Sequence, residues 1–373
     1  MKDKISFQLT LLNWFFKNQR TLPWRKTYTP YEVWISEIMM QQTQVERAVD
    51  HYKIWMQRFP NIDAITGSSE NEILQYWEGL GYYSRAKNIY KCAQKLTREH
   101  NSRIPKNHQV LLKLPGIGPY TAGAIMSIGF NEEYPAVDAN VMRVFSRLFN
   151  INSPIGDSRS RTVIQSKARH LIPMGNARYF NQAIMELGAL ICTPSRPQCK
   201  QCPVNSECVC FKLGITDERP VPGKSCDIIN IEMSCGILIK NGLLFIQKRP
   251  EHGVWANLWE FPGGRLEKGE QSEQGLIREF KEETEMDILI GNKITTIKHS
   301  FTRYRITLHC FFCTLATPIS EPTLHEASEY RWITPDKLSN FPFPSPHRKL
   351  INIIRSSELI TETPLHKSVK KSY

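Results

Sequence analysis

The sequence lacks any uninterrupted apolar run approaching the roughly 18 residues that a membrane-spanning helix needs. Its opening residues, Met1-Lys-Asp-Lys-Ile-Ser, carry no apolar segment of the kind found in a secretory leader. Both absences point to a soluble cytoplasmic protein with no membrane partner. Acidic residues are in deficit, 36 Asp+Glu against 48 Lys+Arg, for a net charge of +12. The deficit is confined to one half: residues 1–226 hold 29 Lys+Arg and 18 Asp+Glu (+11), and residues 227–373 hold 19 and 18 (+1). The basic half is therefore the candidate for touching a polyanion, and the neutral half has another task. No internal repeat is present.

At 373 residues the chain is long enough for two domains with separate cores. Apolar residues recur at helical spacing in 5–16, 31–40, 45–59 and 89–96, with Pro, Gly and Asn between, so residues 1–191 read as mainly α. Residues 211–226, with Gly214, Pro220, Pro222 and Gly223 and few apolar side chains, read as an interdomain linker. Beyond it, β-rich runs at 228–239, 243–247 and 304–314 surround one clear helix at 273–284, an α+β pattern. The expected layout is a helical domain at 1–210, a linker at 211–226, an α+β domain at 227–358 and a polar tail at 359–373.

Ten cysteines are too many for structural disulfides in a reducing compartment. Four of them, Cys192, Cys199, Cys202 and Cys208, form a C-x6-C-x2-C-x5-C run. Four thiolates this close suit one metal centre, a tetrahedral zinc or an iron–sulfur cluster. A zinc ribbon would show two C-x2-C pairs, whereas here one pair is flanked by unequal arms. Incidental clustering or disulfide pairing is the lesser alternative.

Leu114-Pro-Gly-Ile-Gly-Pro-Tyr120 reads as a helix end, a glycine turn and a second helix opening at Pro119. Gly116 and Gly118 let the backbone approach a partner closely, and the N–H groups at the second helix start suit a phosphate. An ordinary helix–helix corner fits this segment equally well when it is read alone.

Taken with Leu22-Pro-Trp-Arg, Ser36-Glu-Ile-Met-Met-Gln-Gln-Thr-Gln-Val, Gly79-Leu-Gly-Tyr-Tyr, Val137-Asp-Ala-Asn-Val and Phe180-Asn-Gln-Ala, the hairpin resembles the helix-hairpin-helix superfamily of DNA glycosylases. The cysteine spacing is similar to its [4Fe-4S] branch, and the motifs are closest to the MutY-type adenine DNA glycosylases. That resemblance covers essentially the whole chain. It implies base-excision repair: a monomer that binds double-stranded DNA, flips adenine mispaired with 8-oxoguanine or guanine, and removes it to leave an abasic site.

Glu37 is a single carboxylate in an apolar stretch, so if it points inward desolvation favours its protonated form, as a general acid needs. A structural Glu facing solvent is the bland alternative, and the resemblance favours the acid that protonates adenine N7. Asp138 reads as the N-cap of a helix at 139–148, fixed and ionised. The resemblance sets it against the sugar C1′ to stabilise oxocarbenium-like charge, with Asn140 orienting it. Position 120 carries the lyase lysine in endonuclease III-type enzymes. Tyr120 cannot form that Schiff base, so a monofunctional glycosylase is expected. By resemblance, Gln42 and Tyr82 are wedges that fill the space of the flipped base. Trp24, Arg25 and Gln182 would line the adenine pocket.

In the second half, Gly264, Glu270, Arg278, Glu279, Glu282 and Glu283 fit the Nudix box G-x5-E-x7-R-E-U-x-E-E-x-G-U, with Glu285 in place of the last Gly. On a helix, Leu276, Ile277 and Phe280 form an apolar face, while Glu279, Glu282 and Glu283 share another that suits Mg²⁺. A charged solvent face is the alternative. MutY-type enzymes use such a domain to read 8-oxoguanine. The reading loop resembles Lys298-His-Ser-Phe-Thr-Arg, with Phe301 as wedge and Thr302 as hydroxyl partner. The kept carboxylates leave open a second, Mg²⁺-dependent hydrolysis of oxidised nucleoside triphosphates. An endonuclease III-like lyase and a non-enzymatic damaged-DNA binder are the remaining alternatives, disfavoured by Tyr120 and by the pairing of Glu37 with Asp138.

Overall fold

The computed structural model describes residues 3–223, 227–317 and 321–356, together with the backbone but not the side chain of Phe301. The polar tail expected at 359–373 lies outside the described residues. Two compact units divide the chain, 1–69 with 84–225 and 70–83 with 226–373. Among the described residues no helix is long and apolar enough to cross a membrane.

The first unit is helical: α1 (Lys4–Asn18), α2 (Pro30–Met40), α3 (Val45–Arg58) and α4 (Ile62–Thr66) precede the excursion of α5 (Glu70–Tyr76) into the other unit. It resumes with α6 (Ser84–His100), α7 (His108–Leu111), α8 (Pro119–Ala124), α9 (Ala139–Leu148), α10 (Ser158–Leu171), α11 (Ala177–Leu190) and α12 (Val209–Leu213). Local chemistry sets the starts. Asp3 accepts from Ile5 N and Ser6 N, and Thr29 with Glu32 forms a capping box ahead of Pro30 at the first helical position. Phe7, Leu11 and Phe15 of α1 pack with Val144 and Phe145 of α9, Ile164 of α10 and Phe180 and Ile184 of α11. The partly buried Cys192, Cys202 and Cys208 lie against the same core.

The segment expected as an interdomain linker carries some structure of its own. Residues 209–213 are helical, Ile155 N–H donates to Val221 O at 3.0 Å, and Arg147 Nε donates to the carbonyls of Thr216 and Arg219.

The second unit is a six-stranded sheet of β1 (Ile229–Lys240), β2 (Leu243–Lys248), β3 (Trp259–Glu260), β4 (Ile288–Phe301), β5 (Tyr304–Leu315) and β6 (Glu329–Ile333). Its order is β3-β2-β1-β5-β4, with β6 on β2, and only β1 and β5 run parallel. α13 (Ser272–Thr284) covers one face through Leu276 and Phe280, and α14 (Ser345–Ser356) covers the other through Leu350, Ile351 and Ile354. Gly236 is required beneath α13, since a Cβ there would come within 2.7 Å of the Phe280 ring. Ile277, expected on the apolar face of α13, is 44% exposed, whereas Leu276 and Phe280 are buried. α5 and the residues after it contribute to this unit: Tyr83 Oη donates to Phe343 O at 2.8 Å, and Arg348 pairs with Glu78.

Candidate active site

The site lies where three elements of the helical unit meet. α2 buries Val33, Trp34, Ile35, Ile38 and Met39, which fixes the rotation of the helix and leaves Glu37 half-buried. The Tyr120 hydroxyl, one residue into α8, donates to Glu37 Oε2. Desolvation dominates here and lifts the Glu37 carboxyl to about 7, with Asp138 adding to the rise and the Tyr120 bond and the Arg25 charge opposing it. Burial also raises the Tyr120 phenol well above its usual value, so it is a donor.

Asp138 caps α9 as expected, accepting from Val141 N at 2.7 Å and from Asn140 Nδ2 at 2.8 Å. Opposing influences act on its carboxyl. Burial raises it, and those hydrogen bonds with the Arg143 charge offset only part of the effect. Asn140 is itself held, because its Oδ1 accepts from Arg143 Nη2 at 2.8 Å. Arg143, 8% exposed, donates onward to Gly188 O and to Cys192 O, each at 2.8 Å. A Cβ on Gly188 would come within 2.7 Å of Asn140 Cβ, so α11 can lie this close to α9 only at a glycine.

Around that core the expected residues have different surroundings. Trp24 is buried in a 3₁₀ turn, Pro23–Arg25, edge-on to Tyr52. Arg25 is committed elsewhere, with Nη2 on Glu186 Oε2 at 2.9 Å and Nη1 on Arg20 O at 2.9 Å. Gln182 is 4% exposed and donates Nε2–H to Arg178 O at 3.2 Å. Gln42 is exposed just past α2 with φ of +56°. Tyr82, φ +47°, belongs to the segment grouped with the second unit. At the hairpin, Gly116 has φ of +75°, and a Cβ there would meet Asn88 Cβ at 2.6 Å, whereas Gly118 opens onto free space.

Cys192, Cys199, Cys202 and Cys208 line one small pocket with Arg147, Ile191, Pro197, Asn205, Phe211 and Thr216. Arg147, 2% exposed, braces it by donating to Thr193 O at 2.7 Å and to Cys192 Sγ at 3.4 Å. Burial, with the neighbouring sulfurs, pushes the Cys202 thiol up to about 12, so it becomes a thiolate only with a cation beside it. Among the described residues, no three His, Cys, Asp or Glu side chains are arranged to hold a single metal ion.

In the second unit Arg278 ties the box together, bonding Glu270 at 2.9 Å, Glu279 at 3.0 Å and Glu282 at 2.9 Å. Glu283 turns inward instead, accepting from Gln247 Nε2 at 2.8 Å, and burial beside Glu260 raises it to about 8. The expected reading loop is a hairpin tip. Lys298 to Phe301 are strand, Phe301 pairs with Tyr304, and only Thr302 and Arg303 form the turn. Thr302 is exposed with φ of +50°. The side chain of Phe301 lies outside the described residues.

Arg143, Arg147 and Glu186 were not marked by sequence. Apart from Asn140, three residues before Arg143, their partners lie dozens of residues away or more.

Residues 35–170 match the HhH-GPD superfamily base excision DNA repair protein family, and residues 234–352 match the NUDIX domain family. The adenine DNA glycosylase of Buchnera aphidicola subsp. Acyrthosiphon pisum is 32% identical over 350 residues, covering 93% of this chain and 97% of the relative. That of Rattus norvegicus is 30% identical, over 94% of this chain and 78% of its own. A thermostable thymine-DNA glycosylase superposes with a TM-score of 0.53 at 28% identity, covering 57% of this chain and 98% of that structure. With helical and Nudix-like halves both matched and these relatives aligned along nearly its whole length, the chain belongs to the adenine DNA glycosylase family.

Proposed function

We propose that the chain excises adenine from duplex DNA where it is mispaired with 8-oxoguanine or guanine, as a monofunctional glycosylase and a soluble cytoplasmic monomer. The observation that carries this reading is the half-buried Glu37, raised to about 7 and facing Tyr120 and Asp138. A carboxyl raised that far holds a proton to give at neutral pH. Gln42 and Tyr82 fill the stack while adenine enters a pocket lined by Trp24, Arg25 and Gln182, and the hairpin glycines Gly116 and Gly118 approach phosphate. Glu37 protonates N7, the glycosidic bond breaks, and Asp138, oriented by Asn140, stabilises the charge on the sugar. Water adds at C1′ and its proton returns to Glu37. Tyr120 offers no amine, so the sugar is left as an abasic site with the strand intact.

The four cysteines fit a [4Fe-4S] cluster, since they bring four sulfur donors to one pocket. Bound there, the cluster supplies a structural clasp that presents Arg196 and Lys200 to phosphate. In the second unit Phe301 and Thr302 are assigned to reading 8-oxoguanine. A Mg²⁺-dependent hydrolase at Glu279, Glu282 and Glu283 is the weaker reading, because Arg278 occupies two of these carboxylates and Glu283 faces Gln247.

The test is chromatographic detection of free adenine from duplexes carrying adenine opposite 8-oxoguanine, guanine or thymine. Release from the first two with an uncut strand is expected. Release from none, or strand cleavage without base treatment, overturns the reading.

A further inference from the structure

Glu186 keeps a charge where water hardly reaches it. Its side chain on α11 is 1% exposed, and five N–H groups close on it. Arg20 contributes its backbone N at 2.7 Å and its Nε and Nη2 at 3.0 Å each. Arg25 contributes Nη2 at 2.9 Å and Nη1 at 3.3 Å. A lone carboxylate at this depth would be costly, and two guanidinium forks make it tolerable. Their hydrogen bonds outweigh desolvation and hold Glu186 down at about 2.

This cluster joins α11 to a stretch of chain some 160 residues away that has little structure of its own. The Pro23–Arg25 turn is three residues long, closed by one backbone bond from Arg25 N to Leu22 O. Arg25 needs the help: it bonds the carbonyl of Arg20 and the carboxylate of Glu186, and its side chain is only 10% exposed. The same guanidinium acts electrostatically on Glu37. The titratable and charged groups that act on Glu37 are Tyr120 from α8, Asp138 at the start of α9, and Arg25 from this turn. Of the three, Arg25 is the cation, and its full charge would favour loss of the Glu37 proton.

We propose that Glu186 is a positioning residue for base excision: it clamps the turn that carries Trp24 and Arg25 and offsets the Arg25 charge, so that the acid keeps its proton at working pH. This rests on Glu37 acting as the general acid. Two substitutions should then move the activity in opposite directions along the pH axis. Glu186→Gln removes a negative charge beside Arg25, favours ionised Glu37, and shifts the fall of activity to lower pH. Arg20→Ala, at the more exposed side of the cluster, removes a positive charge and shifts that fall to higher pH.

The experiment is single-turnover adenine release from a duplex with adenine opposite 8-oxoguanine, using the full chain from about pH 5 to 9, with rates referred to the active fraction. Shifts of about half to one pH unit, downward for Glu186→Gln and upward for Arg20→Ala, are expected. Glu186→Asp should restore the wild-type midpoint. If both variants lose rate or stability while the midpoint stays in place, Glu186 is only a structural tie and the proposal falls. If Glu186→Gln does not fold, the direction of the Arg20→Ala shift decides alone. Release by the wild type separates this outcome from failure of the functional reading, because a wild type that frees no adenine overturns both.

Discussion

The Tyr120 hydroxyl donates to Glu37 Oε2, joining the helix after the hairpin to the helix that carries the acid. This bond favours the ionised carboxyl and so works against desolvation. Tyr120→Phe should therefore raise Glu37 further and move the alkaline fall of activity to higher pH. Loss of one aligned hydrogen bond should also lower the plateau rate by about tenfold. A pH–rate profile under single turnover checks both. A midpoint that moves downward would contradict the assignment of Glu37 as a desolvated acid.

Arg143 links the carboxylate assigned to the sugar with the cysteine loop, through Asn140 on one side and Cys192 O on the other. Arg143→Gln leaves Asn140 free to turn and Asp138 without its partner's fixed geometry. Adenine release should fall by about ten- to a hundredfold, as expected for charge-assisted bonds, while duplex affinity changes little. Measuring rate and affinity on the same preparation separates these effects. An unchanged rate would mean that Asp138 is held by its backbone bond to Val141 alone.

What was legible in the sequence was mostly local. The limits of α9 could be read because Asp138 announces its start and apolar periodicity runs to Leu148. The hairpin turn at Gly116 was likewise visible, because a positive φ calls for glycine. β4 was missed: its register slips between Ile290 and Thr295, around Gly291, Asn292 and Lys293, and this breaks the alternation of a strand. Glu186 was missed for a different reason, since nothing near it in the chain shows that Arg20 and Arg25 arrive from the far end of the domain. Glu37 was legible only in part. Its apolar neighbours suggested a raised carboxyl, but the opposing contributions of Tyr120 and Arg25 come from tertiary structure.

Glu285 ends α13 in the left-handed region, φ +58°, where the Nudix pattern has glycine. Its side chain is exposed and pairs with His325 at 2.9 Å, a contact worth little at a surface. Glu285→Gly should stabilise the protein by about 0.5–1 kcal/mol by relieving that backbone strain. Thermal unfolding of the two proteins side by side provides the check. A lower transition temperature in the variant would show that the His325 pair outweighs the strain.

The central claim is that Glu37 delivers the proton that lets adenine leave. It is tested most directly by single-turnover release of adenine from a duplex with adenine opposite 8-oxoguanine, comparing wild type with Glu37→Gln at pH 7. The account predicts release by the wild type and a loss of at least about a hundredfold in the variant, with duplex binding retained. A Glu37→Gln protein that frees adenine as fast as the wild type would contradict it.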